Sequence, residues 1–294
     1  NHNQQFDPTQ RLAVKYEYVS NKDAYQSDQE VSLRNRLKQN LSSSFNYSKN
    51  WKTSSISIGY NQFWDLSIEN KTPKVAGNLY ENRYKPYKYE DGPKFNFRIG
   101  SMKIFGLGDS WYNNVTSSYN MKASIGRKDH WLITESDTTW FSHDTTKLKY
   151  GGIKHSSRLS APQTFFRLFT INPNISLRED WIFNYKIQES ESNGDMVTVE
   201  KEGFKRRLTW DSSISAKTKV YGLLPITIGR LNAIRHVMTP SVSYNYQPDF
   251  SDPQFGGNLY FQNNNSSDRF DYFKESYVGS TPHTEKKTYT LSLN

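Results

Sequence analysis

Apolar and polar side chains alternate with a period of two along most of this chain. In the stretch 203–222 the even positions are mostly apolar and the odd positions are all polar between Lys205 and Lys219. The apolar even positions include Phe204, Leu208, Trp210, Ile214 and Val220. Successive side chains of a strand point to opposite faces of a sheet, so this pattern predicts a strand with one apolar and one polar face.

The same alternation predicts roughly ten strands. They lie at about 12–20, 31–49, 53–67, 94–105, 110–126, 147–161, 167–188, 203–222, 232–247 and 286–294. Most of them reach the length of about 9–11 residues that a tilted strand needs to cross a bilayer. No comparable amphipathic helix occurs, and no run of about 18 apolar residues is long enough for a membrane-spanning helix.

The predicted connections alternate between short turns and long polar loops. A turn at Asn50-Trp51 closes a clear hairpin, whereas the segments 188–202 and 249–280 are rich in Asn, Ser, Asp and Gly. Short turns on one side and long loops on the other are typical of outer-membrane barrels. Pro173 and Pro240 each remove a donor from a predicted strand, which favours a local bulge or bend; a weakened seam is the functional alternative.

The composition supports a barrel over a disordered or ordinary globular chain. Hydrophobic residues make up 34%, the mean hydropathy is −0.85, and yet 15% of residues are aromatic. A transmembrane barrel needs only one apolar face per strand, aromatic girdles and a polar lumen. The absence of an initiator Met and of a signal sequence leads us to expect a fragment or a processed chain, and zero Cys excludes disulfides and thiolate metal sites.

The net charge of +9 suggests an anionic partner, and the positions of the basic residues suggest where it binds. We expect eight of them to line the lumen of the barrel: Lys205, Arg207, Lys217, Lys219, Lys122, Lys154, Arg158 and Arg178. Alternatively they pair with acids such as Asp211 and Glu17, or stay hydrated. Because the aromatic residues lie on the opposite faces, the pattern argues against nucleic-acid binding.

By the same parity, we expect the apolar face of the stretch 203–222 to contact lipid. Its members are Phe204, Leu208, Trp210, Ile214 and Val220.

Nothing in the sequence predicts catalysis, a cofactor or a metal. The six His residues have no ligand spacing, Gly106-Leu107-Gly108 is a lone G-x-G, and no G-x-S-x-G motif occurs. Acidic residues cluster in loops, where solvated charge is the default interpretation. We therefore expect a protein that performs no covalent chemistry.

Three segments carry a resemblance to a known family. They are 203–204, 213–222 and above all 234–250, which includes the run R-H-V-M-T-P-S-V-S-Y-N-Y-Q-P-D-F. These segments resemble the C-terminal barrel region of LptD or OstA-type lipopolysaccharide-assembly proteins. Weaker likeness extends to 151–155 and to the hairpin around residue 50, so the resemblance spans most of the chain.

The resemblance implies a translocon in the outer membrane of a Gram-negative bacterium. Such a protein receives lipopolysaccharide from a periplasmic Lpt bridge, works with an LptE-like lipoprotein plug, and releases its substrate between the first and last barrel strands. The periplasmic jelly-roll of the family and its crosslinking cysteines are not visible in this chain.

We therefore predict that residues 1–294 are an antiparallel transmembrane β-barrel region and form only a part of a larger barrel, so that the first and last strands pair with other polypeptide. A porin or uptake barrel is an alternative with the same architecture. A soluble carbohydrate-binding or adhesive β-sandwich is an alternative of another class, in which the apolar faces would point inward to a core.

Overall fold

The computed structural model describes residues 1–18, 40–65, 83–106, 108, 110–136, 140–191, 195–225, 233–262 and 269–293. These residues form sixteen β-strands, of which the long ones are Asn40–Asn50 (β3), Ser54–Asp65 (β4), Arg83–Lys103 (β5), Thr116–Ser136 (β6), Trp140–Ser160 (β7), Phe169–Ser190 (β9) and Met196–Thr218 (β10). The shorter strands are His2–Asp7 (β1), Gln10–Lys15 (β2), Gln163–Phe165 (β8), Val220–Leu224 (β11), Ile234–Met238 (β12), Pro240–Gln247 (β13), Phe261–Gln262 (β14), Phe270–Asp271 (β15) and Lys286–Leu293 (β16).

One large sheet contains most of these strands, in the order β1-β2-β3-β4-β5-β6-β7-β9-β10-β13-β16, with β8 beside β9. The pairs with a described register are antiparallel, which confirms the predicted fold class. No described pairing joins β1 to β16, so the sheet is open, as expected for part of a barrel. Among the described residues, none of the helices is long and apolar enough to span a membrane.

The chain divides into two compact units, residues 1–97 with 122–153, and residues 98–121 with 154–294. The first unit contains the hairpins β1–β2 and β3–β4. The second hairpin turns where predicted, with Asn50 paired to Ser55 and a hydrogen bond of 2.7 Å from the Trp51 N–H to the Ser54 carbonyl. The first hairpin was not predicted because His2–Asp7 lacks apolar alternation, and it turns where Asp7 accepts bonds from the Thr9 N–H and hydroxyl.

The beginning of the predicted strand at 110–126 is wrong. Trp111–Asn114 forms a 3₁₀ turn, and the strand starts only at Thr116. The amide of Asn113 is buried and donates to the Gly106 carbonyl at 2.6 Å, while the Asn113 N–H donates to the Ser110 carbonyl. These local bonds compete with a sheet ladder, as side chains of this type commonly do.

The predicted single strand at 203–222 is interrupted. It divides into β10, which ends at Thr218, and β11, which starts at Val220; across from it β12 ends at Met238 and β13 starts at Pro240. Pro240 has no N–H to donate, so the ladder between these strands breaks beside it, as predicted. At Pro173 the pairing with β10 continues without a shift, and the register shifts instead between Glu202 and Lys205, next to Gly203.

The best-packed part of the second unit is formed by the chain between β13 and β16. We call residues 248–262 and 269–285 the cap segment; it contains β14, β15, one short helix, Gly257–Tyr260 (α1), and a 3₁₀ turn at Pro253–Phe255. Its side chains pack with Ile182 of β9 into one apolar cluster, whose buried members are Ile182, Phe250, Tyr260, Phe261, Phe273 and Val278. The sequence predicts only a polar loop for this stretch, because it is rich in Asn, Ser, Asp and Gly.

Candidate functional site

Four adjacent strands of the second unit, β9, β10, β13 and β16, divide their side chains between an apolar and a polar face. Ile214 of β10 pairs with Pro173 of β9 and with Tyr244 of β13, and Tyr244 pairs with Tyr289 of β16. Directly paired residues of antiparallel strands point to the same side of the sheet. This apolar face is open, since Ile214 is 47% exposed and Leu291, also on it, is 83% exposed.

The predicted lipid-facing residues mostly lie on this exposed face. Phe204, Leu208 and Ile214 are exposed there, and Val220 is exposed on β11. Trp210 differs, because it is half-buried and its ring packs against Tyr246 at 5.8 Å and Phe255 of the cap segment at 6.3 Å between centroids. Contact of this face with lipid stays a prediction.

The polar face contains a buried ion pair between neighbouring strands. Arg207 of β10 and Asp180 of β9 are directly paired, and the guanidinium Nη2 lies 2.7 Å from the carboxylate Oδ2. Their side chains are 2% and 0% exposed. Further hydrogen bonds to a buried ion pair offset part of the cost of removing its two charges from water.

The cap segment supplies such bonds to Arg207 Nη1, whereas Arg207 Nε and Asp180 Oδ1 have no hydrogen-bond partner in the part of the chain that the structure describes. Arg207 Nη1 donates to Thr281 Oγ1 at 2.8 Å and to the Gly279 carbonyl at 3.0 Å, and the guanidinium lies 4.4 Å from the centre of the Phe273 ring. Thr281 Oγ1 in turn donates to Asp271 at 2.8 Å. The network therefore runs from Asp180 on the sheet through Arg207 and Thr281 to Asp271 of the cap segment.

Two predicted lumen lysines also contact the cap segment. Lys205 Nζ lies 4.0 Å from the centre of the Tyr272 ring and 4.9 Å from that of Tyr185, and Lys154 Nζ lies 4.7 Å from that of Tyr277. Cations at these distances over an aromatic face are attracted by its quadrupole. Burial, with Tyr185 nearby, raises the pKa of Tyr272, which keeps its phenol neutral.

Side chains of the cap segment also form hydrogen bonds with the main chain of β9 and β10. The Tyr260 hydroxyl accepts from the Leu208 N–H at 3.1 Å and donates to the Leu208 carbonyl at 3.0 Å. The Gln262 amide makes the equivalent pair of bonds with Gln188 at 2.8 and 2.7 Å. Because β13 ends opposite Ser212, Leu208 lies beyond the β13 ladder, and Tyr260 satisfies backbone groups that a strand would otherwise bind.

The other predicted lumen residues are more exposed. Arg178 Nε lies 3.5 Å from Asp180 Oδ1 at the rim of the buried network. Lys217, Lys219 and Arg158 are exposed in the second unit, and Lys122 is exposed in the first. Of the acids named as possible partners, Glu17 pairs with Lys15 instead. That the eight basic residues line a lumen stays a prediction.

Away from the cap segment, the polar face carries short uncharged side chains. Three rows of paired residues cross the four strands, and Lys217 is their single charged member: Asn174, Ser213, Asn245, Thr288; Asn172, Ser215, Ser243, Thr290; and Thr170, Lys217, Ser241, Ser292. Hydroxyl and amide groups both donate and accept hydrogen bonds, so such a surface suits water and polyhydroxylated molecules.

No local pattern in the sequence predicts the residues that form the buried network with Arg207. Asp180 shares the polar parity of Arg178 on β9, but only the register places it beside Arg207. Asp271, Tyr272, Tyr277 and Thr281 carry no alternating pattern, and they meet the strands more than 60 residues away along the chain.

A long antiparallel sheet with one exposed apolar face and one polar face defines the class of protein, since this sidedness is that of an outer-membrane barrel wall. The family model described as LptD protein matches residues 1–294, and the chain belongs to this family. Membership indicates a role in lipopolysaccharide transport at the Gram-negative outer membrane, in a family of transport and assembly proteins. No curated protein and no solved structure matches the chain.

Proposed function

We propose that this chain forms part of the wall and lumen of an LptD-like translocon that passes lipopolysaccharide to the outer leaflet. The observation that carries the proposal is the separation of faces across β9, β10, β13 and β16. A wall between lipid and an aqueous passage needs this alternation on every strand. In a soluble sandwich the apolar face would instead be covered by a second sheet.

The two faces match the two environments in detail. The exposed face presents Ile214, Val242 and Leu291 on three successive strands. The other face presents three rows of serine, threonine and asparagine, which a lipid environment would leave without hydrogen-bond partners. The polar face therefore suits the side along which the sugar part of the glycolipid moves.

The cap segment restricts this passage. It covers the part of the polar face around Lys205 and Arg207 and leaves the rows around Ser213 and Ser215 open. Loops that fold into the lumen are a common way to plug outer-membrane barrels. We propose that the cap segment narrows the lumen and directs the substrate along the uncharged rows.

Of the basic residues, Lys217 and Lys219 are best placed to attract the phosphates of a passing glycolipid. Both are exposed, whereas Lys205, Arg207 and Lys154 hold the cap segment. Weak contacts favour transport, because a strong site would trap the substrate. We extend the proposal to an LptE-like lipoprotein plug and a periplasmic Lpt bridge as partners, and to pairing of β1 and β16 with further strands of the complete protein.

The test is delivery of lipopolysaccharide to the cell surface by the full-length protein. Lys217 and Lys219 are both replaced by Gln, and surface lipopolysaccharide is measured after depletion of the wild-type protein. We expect reduced delivery with normal barrel assembly. The matched control replaces Arg206 and Lys287 by Gln, which removes two positive charges from exposed positions of the apolar face, and we expect normal delivery.

Two results would contradict the proposal in different ways. Normal delivery in the Lys217 and Lys219 variant would exclude these lysines from the substrate path. Normal delivery after depletion of the protein itself would exclude the export function and favour a porin or uptake barrel.

A further inference from the structure

The cap segment contains an open cavity of about 510 Å³ that adjoins the buried network at Asp271. Its lining includes Arg269, Lys274 and His283, together with Ser280, Asp271 and the ring of Phe270. Ligand cavities of about 300–1,000 Å³ are usual for small molecules. The cavity is therefore large enough for one sugar residue with its substituents.

The carboxylate of Asp271 also lines this cavity, and its single negative charge can offset only one of the two positive charges of Arg269 and Lys274. One oxygen accepts from the Phe273 N–H at 2.9 Å and the Thr281 hydroxyl at 2.8 Å, and the other accepts from the Thr281 N–H at 2.6 Å. These bonds fix the position of the carboxylate, and the two cations and one anion leave the cavity with a formal excess of one positive charge.

The basic side chains keep donors available for a ligand. The guanidinium of Arg269 donates to the Ser251 carbonyl and has further N–H groups. Lys274 lies 5.9 Å from the centre of the Phe270 ring and, within the described part of the chain, makes no ion pair. His283 Nδ1 lies 3.2 Å from the Thr281 carbonyl, so Nδ1 is the donor there and Nε2 of the neutral ring is an acceptor for a ligand hydroxyl.

The cavity is attached to the sheet through Asp271, which lines it. Asp271 and Thr281 bind each other, and Thr281 binds Arg207, which is paired with Asp180. A site held by such supporting contacts loses little conformational entropy when a ligand binds.

We propose that this cavity binds a phosphorylated sugar. Arg269 and Lys274 would receive the phosphate, because charge-assisted bonds to guanidinium and ammonium groups are the strong ones for this anion. Phe270 and Ser280 offer the sugar an apolar surface and a hydroxyl. The inference rests on the proposed function for the source of the ligand, a phosphorylated glycolipid, while the chemistry of the cavity stands on its own residues.

The experiment measures binding to the purified full-length protein in detergent by calorimetry. Glucosamine 1-phosphate is the probe, and inorganic phosphate and glucosamine are titrated separately. We expect saturable binding of the sugar phosphate, weaker binding of inorganic phosphate and none of glucosamine. The variant Arg269→Gln with Lys274→Gln should bind the probe at least about tenfold more weakly, because it loses both charged donors.

The control variant carries Lys52→Gln and Lys103→Gln, two exposed lysines that belong neither to the cavity lining nor to the polar rows, and it should bind the probe as the wild type does. Both altered residues of the test variant are exposed, so its unfolding temperature should be unchanged. Equal affinity in the test variant and the wild type would overturn the proposal. So would binding of inorganic phosphate as tight as that of the sugar phosphate, which would show a simple anion site.

The outcome is independent of the export assay. Loss of probe binding in the Arg269 and Lys274 variant supports binding of a phosphorylated sugar in the cavity. This holds whatever effect the Lys217 and Lys219 variant has on delivery of lipopolysaccharide. Absence of probe binding in the wild type would overturn the proposed sugar-phosphate site, and the export function would still be decided by the delivery assay.

Discussion

Arg207 and Asp180 form a buried ion pair that joins β10 to β9, with 2.7 Å between Nη2 and Oδ2. The same guanidinium binds Thr281 and Gly279 of the cap segment. One side chain therefore connects two strands of the wall and the loop that covers them. Loss of the Arg207 side chain should therefore weaken both the contact between β9 and β10 and the attachment of the cap segment.

We expect Arg207→Leu to destabilise the protein by about 3–5 kcal/mol, because the change leaves the buried Asp180 carboxylate without its main partner. The measurement is urea unfolding of the full-length protein in a lipid system. Arg206→Leu is the matched control: Arg206 neighbours Arg207 but points to the other face with 74% of its side chain exposed. A loss as large for Arg206 as for Arg207 would contradict the assignment of the two faces.

The assignment of the faces also predicts a contrast between Ile214 and Ser213. Ile214→Arg should destabilise the barrel by about 2–4 kcal/mol if that position lies near the midplane, whereas Ser213→Arg on the polar face should cost about zero. The measurement is again unfolding in a lipid system. Equal effects at the two positions would show that the exposed apolar face does not contact lipid.

Tyr260 tests how the cap segment covers the edge of β10. Tyr260→Phe removes the hydroxyl that binds both backbone groups of Leu208, and we expect a loss of about 1–3 kcal/mol. Hydrogen exchange at Leu208 should become faster. Tyr289→Phe is the control, because Tyr289 is 76% exposed and its ring contacts Tyr244. If hydrogen exchange at Leu208 increased equally in both variants, Tyr260 would not be the residue that protects the Leu208 main chain.

The attachment of the cap segment should weaken in acid. The hydrogen bond and charge of Lys186 hold the pKa of Glu275 below its usual value. A lowered pKa in the folded state means that the pair stabilises the fold above the ordinary pKa of Glu and that this contribution is lost as pH falls through the folded value. The pair is partly exposed, so we expect less than about 1 kcal/mol.

The measurement is hydrogen exchange of residues 269–281 between pH 6 and pH 3, corrected for the intrinsic exchange rate. In the wild type, protection should decline over the acid part of this range. In Lys186→Gln, protection should start lower and change less. The same decline in both proteins would assign the pH response to other carboxylates.

The sequence alone was enough for the fold class and for the two faces of β10. Alternation of period two is a local property, because each side chain points opposite to its neighbour whatever the strand pairs with. The hairpin at Asn50 and the break at Pro240 were predictable for the same reason, since turn residues and a missing N–H act on the residues next to them.

Only the tertiary structure distinguished residues that look alike in the sequence. Arg207 and Lys217 share the polar parity of one strand, yet Arg207 is buried and Lys217 is exposed. The difference arises from a loop more than 60 residues further along, whose Thr281 and Phe273 contact the first and not the second. Contacts at this separation depend on which strands lie side by side and where β13 ends, and no local pattern in the chain encodes that.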